Sequence, residues 1–246
     1  MKLDSSTVLV TGGATGIGFA LAARFVKAGS TVIVCGRREG ALHDAKRQVP
    51  ALHTIACDLA READRVALAA RVTKEFPKLD VLVNNAGIQR RARFAEDTAP
   101  WSDRAREIEI NFVAPAHLVA LLLPHLEKQP HAAIVNVTSG LAFVPGVFAP
   151  VYCATKAAMH SLTVSLRHDL AKRSVEVVEI IPPAVATDLG GPGLHANDTP
   201  LGEFIDAIWA KLERGETEVS YGFAEKARNA ARAELDAISA RMASST

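Results

Sequence analysis

Tyr152 and Lys156 place a phenol and an ammonium four residues apart in the stretch Tyr-Cys-Ala-Thr-Lys. Apolar spacing and a scarcity of breakers from Val151 to Leu170 predict a helix there. On a helix, side chains four apart lie one above the other on a single face. A cation beside a tyrosine favours phenolate over phenol. A drop of ~3 from a reference pKa of ~10 corresponds to ~4 kcal/mol of differential interaction and would let the phenol exchange a proton near neutral pH. The same spacing also arises on solvated helix faces, so the pair gains meaning only from what is placed against it.

A second chemistry is written near the N-terminus. Thr7 to Val10 is a short β-branched and aliphatic run, followed by Thr11-Gly12-Gly13-Ala14-Thr15-Gly16-Ile17-Gly18 and an apolar-periodic segment ending at Gly29. Strand, glycine turn and helix in this order let the backbone approach a pyrophosphate, whose charge the free N–H groups and positive dipole end of the helix hold. The spacing TGxxxGxG differs by one residue from the GxGxxG fingerprint, and a purely structural turn is the alternative. The next strand, Thr31 to Cys35, ends in Gly36-Arg37-Arg38-Glu39, where a dinucleotide fold reads the adenosine ribose. An acid there would accept from the ribose hydroxyls, whereas an arginine pairs with a 2′-phosphate. Arg37, with Arg38 as second choice, therefore points to NADP (NADPH) over NAD, the alternative being a charged surface turn.

The elements that must position these groups alternate along the chain. Leu52 to Ala56 reads as a strand closed by Cys57-Asp58-Leu59 before a helix from about Ala60 to Phe76. Asp58 either caps that helix or accepts from the adenine amino group, and the two readings are compatible. Leu79 to Val83 is a strand running into Asn84-Asn85-Ala86-Gly87, which is either a ligand crevice or an ordinary turn. Arg90, Arg91 and Arg93 form a solvated edge or a site for an acidic substrate. A helix follows from about Pro100 to Leu123. Asn111 and Pro115 inside it predict a bend with exposed polar groups able to bind a water.

Ala133 to Val137 is a strand ending in Thr138-Ser139-Gly140, and Val175 to Ile181 another, ended by Pro182-Pro183. Gly190, Gly191, Gly193 and two prolines make residues 184–200 a mobile flap over the site. Helices over Leu201 to Arg214 and Ala224 to Met242 flank a short strand near Glu218 to Tyr221. The alternation of strand and helix, without repeat or linker, predicts one α/β domain over residues 1–246: a Rossmann-type doubly wound parallel sheet of about seven strands in three layers. Phe143, Val144, Phe148, Leu189 and Leu194 are candidates for an apolar pocket, or for core packing.

The totals narrow the partners. Lys and Arg number 28 against 27 Asp and Glu, so no general electrostatic attraction to nucleic acid or an anionic membrane is expected. The three cysteines, Cys35, Cys57 and Cys153, lack the spacing of a disulfide framework or a zinc site. The N-terminus lacks the apolar core of a signal peptide, and no unbroken apolar run approaches the ~18 residues of a membrane span. These features lead us to expect a cytoplasmic protein with a small-molecule partner and no resident metal.

Taken together, the motifs resemble those of the short-chain dehydrogenase/reductase family over residues 7 to about 222, with a fainter similarity to the DltE-like branch in NNAGIQR and EKARNAARAELD. The resemblance implies that Asn111, Ser139, Tyr152 and Lys156 are the catalytic four. It implies cofactor contacts from Thr11, Gly12, Thr15, Gly16, Ile17, Gly18, Arg37, Arg38, Asp58, Leu59, Asn85, Ala86, Gly87, Tyr152, Lys156, Pro182, Val185 and Thr187. On the same ground, Asn111 would hold a water, Ser139 would bind a carbonyl oxygen, and the chain would associate as a homodimer or homotetramer. One departure stands out. Where the family commonly has Pro-Gly after the sixth strand, this chain has Pro182-Pro183, which fixes φ and removes an N–H, while Thr187 is kept. The implied activity is reversible hydride transfer between NADP(H) and a carbonyl compound or secondary alcohol. The alternative is a nucleotide-sensing binding protein that keeps the fold and controls a partner.

Overall fold

The computed structural model describes residues 1–244. Seven parallel strands form one sheet in the order β3-β2-β1-β4-β5-β6-β7. They are β1 (Thr7–Thr11), β2 (Thr31–Gly36), β3 (His53–Ala56), β4 (Val81–Asn84), β5 (Ala132–Val137), β6 (Val175–Ile181) and β7 (Glu218–Ser220). The order grows outward from β1 in one direction and resumes from β4 in the other. The β1/β4 boundary is thus the switch point, outside whose carboxyl ends such sheets bind ligands.

Both faces of the sheet are covered, and alternate strand residues divide between them. Val8, Val10, Val32, Val34, Val81 and Val83 face α1 (Gly16–Lys27), α2 (Glu39–Gln48) and α7 (Leu201–Glu213), whose Phe25, Leu42 and Phe204 fill the layer. Leu9, Ile33, Leu82 and Ile134 face α3 (Glu62–Glu75) and α5 (Ala114–Leu126) through Leu68, Val72, Leu118 and Leu122. Strands buried on both faces must be apolar throughout, which is why Val8-Leu9-Val10 reads as an unbroken run instead of an alternation.

α4 (Trp101–Ile108) runs into α5 through a π-helical turn, Glu109–Val113. The bend expected at Asn111 and Pro115 takes this form: Ala114 N–H bonds five residues back to the Glu109 carbonyl, and Pro115 follows with no N–H to give. The continuous helix Trp101–Leu126 is long and apolar enough, by composition alone, to cross a bilayer. Ala114, Leu118, Val119, Leu122 and Leu126 of this helix are buried against the sheet. α6 (Pro150–Asp169) opens on Pro150, where a missing N–H costs nothing.

The C-terminal helix expected over Ala224 to Met242 is two helices, α8 (Phe223–Asn229) and α9 (Arg232–Ser244), separated by extended backbone at Ala230. Packing explains the division. α8 is fixed by the buried Ala224 and Ala227 and by Arg228 bonded to Glu218, whereas α9 is largely exposed.

Candidate active site

The carboxyl ends of the strands open into one cleft of about 1250 Å³. At one end, Gly12 and Gly16 turn the chain from β1 into α1 with φ of +63° and +55°. Side chains are excluded for steric reasons as well. A Cβ on Gly12 would lie 2.9 Å from the Ala86 Cα, and one on Gly18 would lie 2.3 Å from the Asn85 Nδ2 and 2.5 Å from the Gly12 carbonyl. Thr15 precedes α1 without a side-chain cap, so the first-turn N–H groups are left to whatever enters the cleft.

Thr11 and Asn85 hold this loop in place. The Thr11 hydroxyl donates to the Val83 carbonyl and accepts from the N–H groups of Asn85 and Ala86, both at 3.0 Å, while the Asn85 amide donates to the Thr11 carbonyl at 2.9 Å. Of the residues expected to touch a cofactor, Thr11 and Gly18 do not reach the cleft wall: Thr11 is buried in these bonds and Gly18 lies under Asn85. Gly12, Thr15, Gly16, Ile17, Leu59, Asn85, Ala86, Gly87, Pro182, Val185 and Thr187 do line it.

Arg37 and Arg38, at the end of β2, line the adjoining part of the cleft, and neither has a carboxylate partner among the described residues. Asp58 is not the cap of α3, which starts at Glu62 behind Arg61. Its carboxylate instead accepts from the Ala60 N–H at 3.1 Å and from Arg106 of α4 at 2.9 and 3.1 Å. Although desolvation opposes the shift, the Arg106 and Ala60 hydrogen bonds bring the net Asp58 pKa below its ordinary value. Arg106 carries no motif, and only the fold brings it to Asp58. Partnerless guanidinium groups, a glycine cradle with free N–H groups and a polar rim fit a dinucleotide with a 2′-phosphate.

At the other end stand Ser139, Tyr152 and Lys156. Ser139 follows β5, and its Oγ accepts from the Leu141 N–H at 3.1 Å, so the strand-to-turn geometry orients the hydroxyl. Tyr152 and Lys156 are on one face of α6, with Lys156 Nζ 5.6 Å from the phenol ring centroid. Nζ donates to the Val137 carbonyl at 2.8 Å. The expectation that Lys156 draws the Tyr152 phenol toward neutrality does not hold in this state. Burial pushes the phenol well above its ordinary range, the Ser139 hydrogen bond opposing only part of the effect, and burial pulls Lys156 down to about 8. Desolvation penalises the charged form of each group and outweighs their mutual attraction.

Asn111 lies behind this group, off the cleft wall. Its carboxamide is committed: Oδ1 accepts from the Ile88 N–H at 2.8 Å, and Nδ2 donates to the Ile88 carbonyl at 2.8 Å and the Thr155 hydroxyl at 3.2 Å. Any water it holds therefore belongs to its backbone carbonyl, which Pro115 deprives of the N–H that a regular helix would supply. Gly87 completes the packing, since a Cβ there would lie 3.4 Å from the Asn111 Oδ1 and 3.7 Å from the Lys156 Nζ.

The segment 184–200 crosses the cleft. A bridge between Val185 and Thr199 closes its base, and Thr187 lies against Gly16, whose Cβ would be 3.4 Å from the Thr187 Cγ2. The Pro182 carbonyl accepts from the Gly140 N–H at 2.9 Å, which seats the Pro-Pro turn beside Ser139. Of the apolar candidates, Phe148 and Leu189 line the cleft; Val144 is core, and Phe143 packs on His160 at 4.6 Å. The arginine loop is mostly spent on its own acids. Arg90 pairs with Asp97 and Arg93 with Glu96, leaving Arg91 over the Phe148 ring at 4.5 Å.

Known proteins resemble this chain in sequence and fold. The family model described as short chain dehydrogenase matches residues 6–196. The chain is 47% identical to the oxidoreductase DltE of Bacillus subtilis (strain 168), covering 98% of both sequences. It is 32% identical to an L-fucose dehydrogenase of Bos taurus over 76% of this chain and 69% of that one. A short-chain dehydrogenase from Burkholderia cenocepacia J2315, solved in complex with NADP, superposes with a TM-score of 0.84 at 27% identity, covering 98% of this chain and 99% of that one.

Proposed function

This chain belongs to the short-chain dehydrogenase family of oxidoreductases, in its DltE-like branch, and from that premise we propose that it interconverts a carbonyl compound and its secondary alcohol with NADP(H). The observation that carries the reading is the convergence of Ser139, Tyr152 and Lys156 at one end of a cleft whose other end holds the glycine cradle, Arg37 and Arg38. The NADP bound by the Burkholderia protein, which has the same fold, supports the choice of cofactor. When bound, the dinucleotide supplies or accepts the hydride.

Ser139 donates a hydrogen bond to the substrate oxygen, held in position by the turn that fixes its Oγ against Leu141. Tyr152 is protonated as the structure stands, because burial raises its phenol, so it is set to give a proton to an alkoxide as charge develops there. Lys156, brought down to about 8, changes charge close to neutrality and can replace the proton that Tyr152 gives up. The Asn111 carbonyl opens a route from Lys156 to solvent through a water. Asn111 itself acts by position, clamping Ile88 and so the wall that follows Gly87. Arg37 and Arg38 hold the 2′-phosphate, and the α1 N–H groups hold the pyrophosphate.

The test is NADPH oxidation across a panel of ketones and aldehydes by the wild-type protein and by Tyr152→Phe. Loss of the proton donor lowers kcat by roughly 10²- to 10⁴-fold. Undiminished turnover in the variant would sink the assignment of roles. Tight NADPH binding without turnover on a broad panel, together with a co-purifying protein, would favour a nucleotide sensor.

A further inference from the structure

Two side chains on the cleft wall are buried, yet each carries a polar atom that the protein does not satisfy. Gln89 is 7% exposed and His195 8% exposed. Both line the cleft, and neither the Gln89 Oε1 nor the His195 Nε2 has a hydrogen-bond partner among the described residues. Most buried polar side-chain atoms are paired, so two orphans that both line the cleft mark places where a ligand or a water can pair them.

The two groups come from different segments of the chain, the loop after β4 and the flap, that meet at the cleft. Gln89 lies two residues beyond Gly87, whose Cβ would be 3.7 Å from the Lys156 Nζ, which places it next to the reacting end. The flap closes over it: a Cβ on Gly190 would lie 3.3 Å from both the Gln89 carbonyl and its Oε1. His195 belongs to the same flap. Its Nδ1 is 2.7 Å from the Asp198 Oδ2. An ionised carboxylate can only accept, so a proton is on Nδ1, and in the neutral imidazole Nε2 presents a lone pair.

The wall thus offers acceptors that need donors. A carbonyl oxygen or an apolar ring supplies none, and a carboxylate would meet the lone pairs with more negative charge. A hydroxyl supplies the donor, and being an acceptor too it satisfies either end of the Gln89 amide. Arg91, stacked on Phe148 without a carboxylate partner among the described residues, gives hydroxyl oxygens a donor on the same wall.

We propose that Gln89 and the His195–Asp198 pair recognise hydroxyl groups on carbons near the reacting one, so that this protein acts on neutral polyhydroxylated compounds of the sugar and polyol class. The inference rests on the dehydrogenase reading. It goes beyond that reading by naming the substrate class and the residues that select it.

The experiment compares kcat/KM with NADP⁺ for hexoses and cyclic polyols against their singly deoxygenated analogues, with simple secondary alcohols and 2-hydroxy acids in the same panel. The wild-type protein is expected to favour the hydroxylated compound by at least ~10-fold over a deoxy analogue, since a site built for a hydroxyl rejects the analogue that leaves it unpaired. In Gln89→Leu and His195→Leu that ratio falls toward one. His195→Gln, whose terminal amide reaches where Nε2 lies, keeps part of it. Preference for simple alcohols or hydroxy acids, or a ratio unchanged in both leucine variants, overturns the proposal and leaves the dehydrogenase reading standing. If nothing in the panel turns over, the dehydrogenase reading fails, and calorimetric titration of the same sugars into the NADP⁺-loaded protein decides this one. Hydroxyl-dependent binding abolished by His195→Leu supports the proposal, and its absence overturns it.

Discussion

Replacing Lys156 by methionine should stabilise the cofactor-free protein at neutral pH relative to alkaline pH, and the size of the effect follows from the burial of the ammonium. Lys156 is 4% exposed, and its pKa falls from an ordinary 10.5 to about 8 through desolvation. A fall of that size means that holding the charged form in place costs about 3 kcal/mol. The sign is that of a base whose folded pKa lies below its unfolded value. The whole penalty is present below about 8, where both states are charged, and it fades as the pH rises toward 10.5, where both become neutral. Methionine has no charge and no such penalty. It does leave the Val137 carbonyl without the Nζ donor, at a cost of about 1 kcal/mol, but that cost is the same at every pH and cancels in the comparison. Urea unfolding of both proteins at pH 7 and pH 10 is the assay. Between the two, the wild type gains about 2 to 3 kcal/mol on the variant. A stability difference that is the same at both pH values would refute the claim that desolvation, and not Tyr152, governs the charge of Lys156.

Other residues give independent checks. Gly18→Ala forces a methyl into space already held by Asn85 and the Gly12 carbonyl. Overpacking of this kind costs about 1 to 3 kcal/mol, and NADPH affinity should fall with it, by denaturant titration and calorimetry respectively. Arg37→Asp removes one of the two guanidinium groups that line the cleft at the end of β2. Losing a charge-assisted bond worth about 1.5 to 3 kcal/mol should lower the preference for NADPH over NADH by roughly 10- to 150-fold, measured as a ratio of kcat/KM, and an unchanged ratio removes Arg37 from the phosphate site. His160 is held above its ordinary 6.5 by a hydrogen bond to the buried Glu179. The stability it contributes is complete below about 6.5 and is lost as the pH rises through the higher folded value. The fall in stability above that point should therefore be shallower in His160→Gln, read from urea midpoints across the range.

Which parts of this molecule can be read from its sequence depends on whether a feature is local. Strand boundaries were legible because doubly buried parallel strands must be apolar at every position, as Val8-Leu9-Val10 is. The glycine cradle was legible because φ values of +63° and +55° select glycine at positions 12 and 16. The bend near Asn111 could be anticipated from Pro115, since a missing N–H must be absorbed somewhere in the helix. The break at Ala230 gave no such sign. The stretch from Ala224 to Met242 contains neither glycine nor proline, and the division comes from the anchoring of α8 against the sheet. Asp58 shows the same limit from the other side. Its identity was plain, but whether it capped a helix or faced the cleft depended on Arg106, forty-eight residues away.

The pairing of Tyr152 with Lys156 extends this argument from geometry to energy. Their spacing predicted that the two side chains would share a face of α6, and they do. It also suggested an electrostatic outcome, a lowered phenol, that the structure reverses because spacing carries no information about burial. Three separated segments bury the pair: the turn at Gly87, the Asn111 helix, and the end of β5 from Val137 into the Ser139 turn. Gly87 packs close beside Nζ, and Asn111 spends its carboxamide holding Ile88 in place. Each of these residues could be singled out by type, but desolvation is a property of their meeting. The same holds for Gln89 and His195. A glutamine in a loop and a histidine in a flap have many uses, and what marks them here is that the assembled cleft buries both and leaves one atom of each unpaired.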